Sequence, residues 1–439
     1  MNRRALLLAG LIALLPAGQA LAMDMKLLTT DDPLTQWRTV TYPGGKTASF
    51  TVGIGSAAFR HPGDPANVIY TASDRGPNFT CGAAKKIMGA ESQALCKDVK
   101  GARFYPTPDY SPSIYRLELD PASGSFAVKD VIALKTASGI AITGLLNPQT
   151  AAKTDQALDA QGNKLPFDPN TLDVEGLVKL SDGSFWIGEE MGPSVVHVAA
   201  DGRIVKRIVP ADAVADYKDA DTEIVGGLPA ILSKRHKNRG IESMAVSPDE
   251  KYLYFMLQNP LDNPDAKAYA QAKNTRLFKM ERESGRLVGE YVYPLDDPQS
   301  FALDPSDKQN APRVSELAAI GPDRLLVLER TDATTKLHEV ALTGATDILG
   351  TKWDDVATEP SLELSNGLAG TGIVALTKTL RFDTARDFPQ APAKLEGIAF
   401  LGDGTLALIN DNDFGIGGDE TKVLLVGGAV KADTAVYTD

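Results

Sequence analysis

Four glutamates in this 439-residue chain stand in the same local setting: Glu175, Glu242, Glu316 and Glu396 each head a short apolar run. Each is followed seven residues later by an aspartate, at Asp182, Asp249, Asp323 and Asp403. A charged group repeated at the head of an apolar strand is costly unless something pairs with it. Polar residues recur at a second fixed offset, with Glu189 and Glu190 fourteen and fifteen residues beyond Glu175, and Asn410 and Asp411 at the same offsets from Glu396. Asp74 in SDRGPN, Gln258 and Asn259 in LQNP, and Glu329 and Arg330 in LERTD fall in comparable places. Carboxylates gathered this densely cannot all stay ionised unless a cation or a buried base compensates, because like charges raise one another's pKa. Calcium takes roughly six to eight oxygen ligands in flexible geometry and suits a set without histidine or thiolate. The expected metal set is Glu175, Glu242, Glu316, Glu396 and Asp411. The competing reading makes these glutamates architectural latches that accept hydrogen bonds from neighbouring amides.

Basic residues accompany the carboxylates. Arg75 follows Asp74, Lys237 and Arg239 precede Glu242, Arg330 follows Glu329, and Lys394 lies two residues before Glu396. Guanidinium forks match phosphate or carboxylate oxygens. A hard cation beside arginines is the equipment of phosphoester hydrolysis, where metal activates water and arginine stabilises developing charge. Arg75, Arg239, Asp74 and Glu190 are therefore the candidate catalytic residues, and the expected partner is a small anionic substrate, phosphorylated in the leading case. Salt bridging between these bases and the glutamates is the plain alternative. Other chemistries lack their signatures. There is no G-x-S-x-G elbow, and Gly226-Gly227 lacks the Gly-Lys-Ser/Thr of a P-loop. Only four histidines occur, at His61, His197, His236 and His338, which leaves zinc poorly supported.

The elements that must position these residues form an internal repeat. EGLVKLSDGSFWIGEE, ESMAVSPDEKYLYFMLQ, ELAAIGPDRLLVLER and EGIAFLGDGTLALIND each read as a strand, a tight turn and a second strand. The Pro, Gly and Asp of those turns suit reversal, so the aspartates are structural. Each hairpin is followed by a further strand-turn-strand pattern, as in VVHVAADGRIVKRIV and RLFKMERESGRLVGEYVY. Two hairpins make a four-stranded blade. A degenerate copy around GIGSAAFRHPGDPANVIYTASDRGPNF carries Ser56 where the glutamate would stand. The expectation is an all-β fold, a β-propeller of five or six four-stranded blades, with first strands lining a channel and the glutamates ringing its mouth. The segment LTQWRTVTYPGGKTASF is expected either to close the last blade or to belong to a sixth. The polar stretch from Asn147 to Asn170 reads as an inserted loop, a mobile surface loop rather than a lid over the mouth.

Residues 1–22 read as a cleaved secretory signal peptide: Arg3 and Arg4 precede an apolar run from Ala5 to Leu15, and Ala20-Leu21-Ala22 offers a cleavage site. Residues 23–439 are then one propeller domain, periplasmic or secreted and expected to be monomeric. Losing the two leader arginines takes the formal charge from −12 to −14. That acidity argues against nucleic acid and anionic membranes, and no later apolar run is long enough to span a bilayer. In an oxidising compartment Cys81 and Cys96, the only cysteines, read as one local disulfide.

SDRGPN, LDVEGLVKLSDGSFWIGEEMGP, NRGIESMAVSPD and KLEGIAFLGDGTLALINDND together resemble the bacterial "esterase-like activity of phytase" family of exported phytase-like propellers. The resemblance runs from about Gly53 to Gly427. It implies a propeller with a divalent-metal requirement and phosphoester or ester hydrolysis. Ser56 departs from the glutamate pattern and leaves the ring incomplete. Beside a calcium-dependent phosphoesterase, two functions stay open: a calcium-dependent lactonase or sugar-ester hydrolase, for which Asn259 and Asn410 are suitable ligands, and a non-catalytic propeller that binds a ligand or protein at its mouth.

Overall fold

The computed structural model describes residues 23–150 and 152–438 and is all-β, built from several small sheets. The expected leader lies outside the described residues. Five sheets follow one another along the chain. The first contains Ala57–Phe59, Val68–Ala72, Ser113–Asp120 and Ser125–Ala133. The second begins with the hairpin Val174–Lys179 and Phe185–Glu189, continues through Ser194–Val198 and Ile204–Pro210, and adds Glu223–Leu228 in parallel at its edge. The third runs Ile241–Val246, Tyr252–Leu257, Asn274–Glu281 and Arg286–Pro294. The fourth runs Arg313–Gly321, Arg324–Arg330, Thr335–Ala341 and Lys378–Asp383. The fifth has Leu395–Phe400, Leu406–Asn410 and Val423–Gly427, completed by the chain's opening strand Asp24–Leu28.

That last pairing corrects the sequence expectation. The closing strand precedes LTQWRTVTYPGGKTASF, which forms its own hairpin, Gln36–Thr41 with Thr47–Thr51. Its Thr-rich strands leave most of their residues exposed or half-buried, with Phe50 the one fully buried, too polar for a place buried on both faces. Asp24–Leu28 instead pairs antiparallel with Val423–Gly427 over five residues.

The sheets read as near-continuous apolar runs because both faces of each are covered. Leu177, Ile187 and Val196 of the second sheet pack on Tyr70 and Ile114 of the first, and Trp186 and Val195 on Phe255 and Phe278 of the third. Tyr254 and Tyr293 meet Val327 and Leu325 of the fourth, while Leu328 and Phe382 meet Ile398 and Leu408 of the fifth. Ala407 and Ile409 return to Ile69 and Tyr115 of the first. Every sheet therefore packs on the next, and the fifth packs on the first. The first strands touch in the same order.

A smaller sheet sits beside the first. Phe79–Thr80, Ala102–Phe104 and Gln156–Leu158 pair with Ala102–Phe104 in the middle. It joins the cysteine insertion to the stretch read from sequence as surface loop. Cys81 and Cys96 are disulfide-bonded, clipping the start of the helix Cys81–Met88 to the residues before the central strand. No helix among the described residues is long and apolar enough to cross a membrane.

Candidate functional site

The glutamates do not simply head their strands; three sit on β-bulges. In the second sheet Val174 faces Glu189 and Gly176 faces Gly188, so Glu175 is the unpaired extra residue. Glu242 and Glu396 occupy the same position between Ile241 and Ser243 and between Leu395 and Gly397. A bulge re-aims its side chain out of the sheet's alternation, and these three carboxylates line one polar cavity of about 270 Å3.

In the fourth sheet the bulge falls one residue earlier, at Ser315, between Val314 and Glu316. Glu316 therefore aligns with Gly176, Ser243 and Gly397. Its Oε1 accepts from the amides of Met244 at 3.1 Å and Leu317 at 2.9 Å, and its Oε2 from Ala58 at 3.4 Å. Met244 and Ala58 belong to the first strands of the third and first sheets, so one carboxylate spans the centre of the cycle beneath the mouth. The structure thus separates Glu316 from the other three, and the latch reading describes it. The constant seven-residue offset concealed this because the strand register shifts a second time at Ile320, just before the turn.

The strand ends also divide by face. Glu190, Gln258, Arg330 and Asp411 line the cavity. Their neighbours turn away between sheets. Glu189 pairs with Arg207 at 3.0 Å, Asn410 accepts from the Lys422 amide, Asn259 donates to Pro312 O, and Glu329 accepts from the Tyr293 hydroxyl. Neither asparagine that kept a lactonase open reaches the cavity lining.

One corner is dominated by carboxylates. Asp74, Asp173 and Glu175 each place an oxygen within 4.8 Å of the others. Glu190 and Glu242 adjoin them. Burial, then the charges of Glu242 and Asp173, hold the Glu175 carboxyl well above its usual range. Burial, then Asp173, does the same for Asp74 and raises Glu190. Glu242 is raised by burial and by Glu190. Both oxygens of Asp173, Oε1 of Glu190, Oε2 of Glu242 and Oε1 of Gln258 are buried without a hydrogen-bond partner. An all-oxygen donor set with unused lone pairs fits a hard divalent cation, so the residues present can hold calcium. Asp411, whose charge also acts on Asp74, is pushed up to about 7 by burial and by Asp413.

The bases of the opposite side are already engaged. Arg330 pairs with Glu396, Arg313 with Asp332 and Lys394 with Asp413. Burial, then the adjacent Arg313, pushes the Arg330 guanidinium down to about 9. The two predicted arginines enter the cavity too. Arg75 meets Asp173 at 3.1 Å and donates to Asn238, and Arg239 lies 3.7 Å from Glu190. Close backbone approach makes this possible: a Cβ on Gly240 would stand 2.0 Å from Glu190 O. Lys237 is drawn off to Asp155 at 2.6 Å.

Sequence reasoning missed Asp173, Asn78 and Arg103. Asp173 had a usable signal, since it stands two residues before Glu175 in LDVEGL. Arg103 had none, because only the disulfide-clipped insertion brings it to the mouth.

A family model described as phytase-like, "esterase-like activity of phytase", matches residues 86–414. An uncharacterized secreted protein of Arthroderma benhamiae is 28% identical over 177 residues, which are 36% of this chain and 34% of that protein. The chain thus spans about a third of that relative's length. Among solved structures, a luciferin-regenerating enzyme aligns over 93% of this chain and 90% of its own, with 10% identity and a TM-score of 0.34. A protein of unknown function from Bacteroides caccae aligns over 56% of each chain, with 9% identity and a TM-score of 0.27. At that distance neither structure assigns a role to any residue here.

Proposed function

The chain belongs to the phytase-like family described as esterase-like activity of phytase, and from that membership we propose that it is an exported, calcium-dependent phosphoester hydrolase. Its scaffold is read as one five-bladed β-propeller, and its active site as the polar mouth cavity. The observation that carries this reading is the set of buried oxygens without a hydrogen-bond partner on Glu190, Glu242 and Gln258, which line the same cavity as Arg75 and Arg239, with Asp173 in ion-pair reach of Arg75.

Asp74, Asp173 and Glu175 would hold the cation, with Glu190 and Glu242 beside them; Glu396 is paired with Arg330, and Asp411 is neutralised in part by Lys394. A calcium ion held there would supply Lewis acidity toward water and a phosphoryl oxygen. The chain's own groups do the rest. Arg75, fixed between Asp173 and Asn238, and Arg239, held beside Glu190, present guanidinium edges to the charge that develops on the phosphoryl oxygens. Glu190 Oε1 has no hydrogen-bond partner and is raised by burial. It is the atom suited to accept a proton from the attacking water and return it to the leaving oxygen. Glu316 ties the first strands of the first and third sheets together.

The test is a panel of phosphomonoesters, phosphodiesters and lactones assayed on metal-analysed protein with and without chelator. Calcium-dependent turnover of a phosphoester is expected. Chelator-insensitive turnover, or turnover of lactones alone, would remove this function.

A further inference from the structure

The cavity is lined by six basic side chains, Arg75, Arg103, Arg239, Arg313, Arg330 and Lys394, and five of them have a carboxylate partner within the protein. Arg103 is the exception: among the described residues it makes no ion pair. Its single side-chain hydrogen bond runs from Nε to Asn78 Oδ1, which leaves both terminal nitrogens without a protein acceptor.

Its position is fixed from two sides. Arg103 is the middle residue of Ala102–Phe104, the central strand of the insertion sheet, paired with Thr80 on one side and Ala157 on the other. Side chains alternate along a strand. Phe104 turns into the core beside Phe79 and Cys96, so Arg103 turns the other way, toward the mouth. Asn78, which holds Nε, is itself anchored by donating to Gly76 O at 2.8 Å. Gly76 has φ +97°, and a Cβ there would stand 2.6 Å from the Tyr110 ring, so the loop carrying Asn78 has little room to shift.

A half-buried guanidinium lacking an anion is costly. Each of the other five bases would have to loosen an internal ion pair to grip a substrate's charge. Arg103 would loosen none, and its terminal fork matches two oxygens of one oxyanion. Burial and the nearby Arg75 both act against its charge, so an anion seated between the two guanidiniums would relieve both.

We propose that Arg103, delivered to the mouth by the disulfide-clipped insertion and oriented by Asn78, is the principal recognition residue for the phosphoryl oxygens of the substrate. This rests on the phosphoester reading above. It shifts first contact from Arg75 and Arg239, whose ion pairs suit them to the transition state, to a residue outside the repeat.

The experiment is calorimetric titration of inorganic phosphate into the calcium-loaded full chain, comparing the parent with Arg103→Gln and Arg103→Lys, with melting recorded for each. Arg103→Gln should weaken phosphate at least about tenfold, the scale of one lost charge-assisted hydrogen bond, at an unchanged Tm. Arg103→Lys, which keeps the charge and loses the fork, should fall between. Equal phosphate affinity in parent and Arg103→Gln would overturn the proposal while leaving any phosphoester turnover by the parent intact. A parent that binds no phosphate would overturn it too, and the separate turnover panel then decides the fate of the hydrolase. If Arg103→Gln melts early, Arg103→Lys carries the comparison, and parental affinity in that variant at parental Tm counts against the fork.

Discussion

Two clusters of acidic and ligating side chains in this molecule have opposite fates. Asp74, Asp173 and Glu175 meet at the mouth; Asp296, Glu329 and His338 meet between the third and fourth sheets, also with ligand atoms within 4.8 Å of one another. The second cluster carries its own cations. Lys378 Nζ lies 2.6 Å from Asp296 and 2.5 Å from Glu329, and Lys336 Nζ lies 2.9 Å from Asp296. Tyr293 and the Asp296 amide donate to the remaining Glu329 positions at 2.7 and 2.6 Å. Burial opposes the charge of Asp296, but His338 and Lys378 outweigh it and hold that carboxyl well below the usual range. At the mouth the balance is reversed: Asp74 and Glu175 are held high, and both Asp173 oxygens lack a hydrogen bond. Proximity of acidic groups alone therefore does not mark a metal site. What separates the two is whether the counter-charge supplied from within is sufficient: Arg75 reaches Asp173 at the mouth, yet Asp74 and Glu175 are still held high.

The largest expected effect comes from removing a mouth ligand. Glu175→Gln should lose bound calcium and essentially all phosphoesterase activity together, because one change removes a donor and a charge from the acidic corner. Metal content by elemental analysis and turnover on one preparation check this. Glu329→Gln, in the self-neutralised cluster, should leave metal content as in the parent. Equal calcium in parent and Glu175→Gln would erase the distinction between the clusters.

A smaller effect, on stability alone, should follow from stripping the internal cation. Lys378→Met leaves Glu329, which is fully buried, facing Asp296 with its main partner gone. Breaking a buried pair by removing one member costs about 3–5 kcal/mol. Denaturant unfolding of the chelated protein should show that loss, with calcium affinity at the mouth unaltered. If calcium at millimolar levels restored the stability of Lys378→Met, the second cluster would be a metal site whose lysine merely stands in.

The same comparison explains what could be read in advance. The repeat was legible because every sheet buries both faces and so leaves a long apolar run, as in the Leu177–Ile187–Val196 layer. The closing strand was not, since Asp24–Leu28 is five residues with a mixed pattern and only its partner across 400 positions of chain identifies it. Glu175, Glu242 and Glu396 were legible as a set. Glu316 matched them in sequence and departs in space, because a bulge moves by one residue without altering composition. Which acids are neutralised internally was beyond reach, as Lys378 lies 49 positions from Glu329 and nothing local links them. Arg103 was hidden for the same reason.

The smallest effect, and the one that discriminates by sign, is the pH dependence of stability. In the metal-free protein Asp411 is pushed up to about 7, against about 3.9 for an aspartate in the unfolded chain. Between those values the folded protein keeps a proton that the unfolded chain has released. Stability from this group is therefore fully present below about pH 4 and is lost as pH rises through about 7. Asp74, Glu175, Glu190 and Glu242 are shifted in the same direction and add to the same trend. Asp296 is shifted the other way, so its contribution is present above about pH 4 and disappears only on acidification below that. With chelator, Tm should then fall by a few degrees as pH is raised from about 5 to about 8, a window in which Asp296 is silent. Calcium favours the ionised carboxylates and should flatten that fall, so the gap between calcium-loaded and chelated melting curves should widen with pH. Lys378→Met should shift both curves down and leave the widening in place, because the mouth is untouched. A chelated Tm that stays level or climbs over this range would mean that the mouth carboxylates are ionised and satisfied within the fold, as those of the lysine-bound cluster are, and the case for a cation there would go with it.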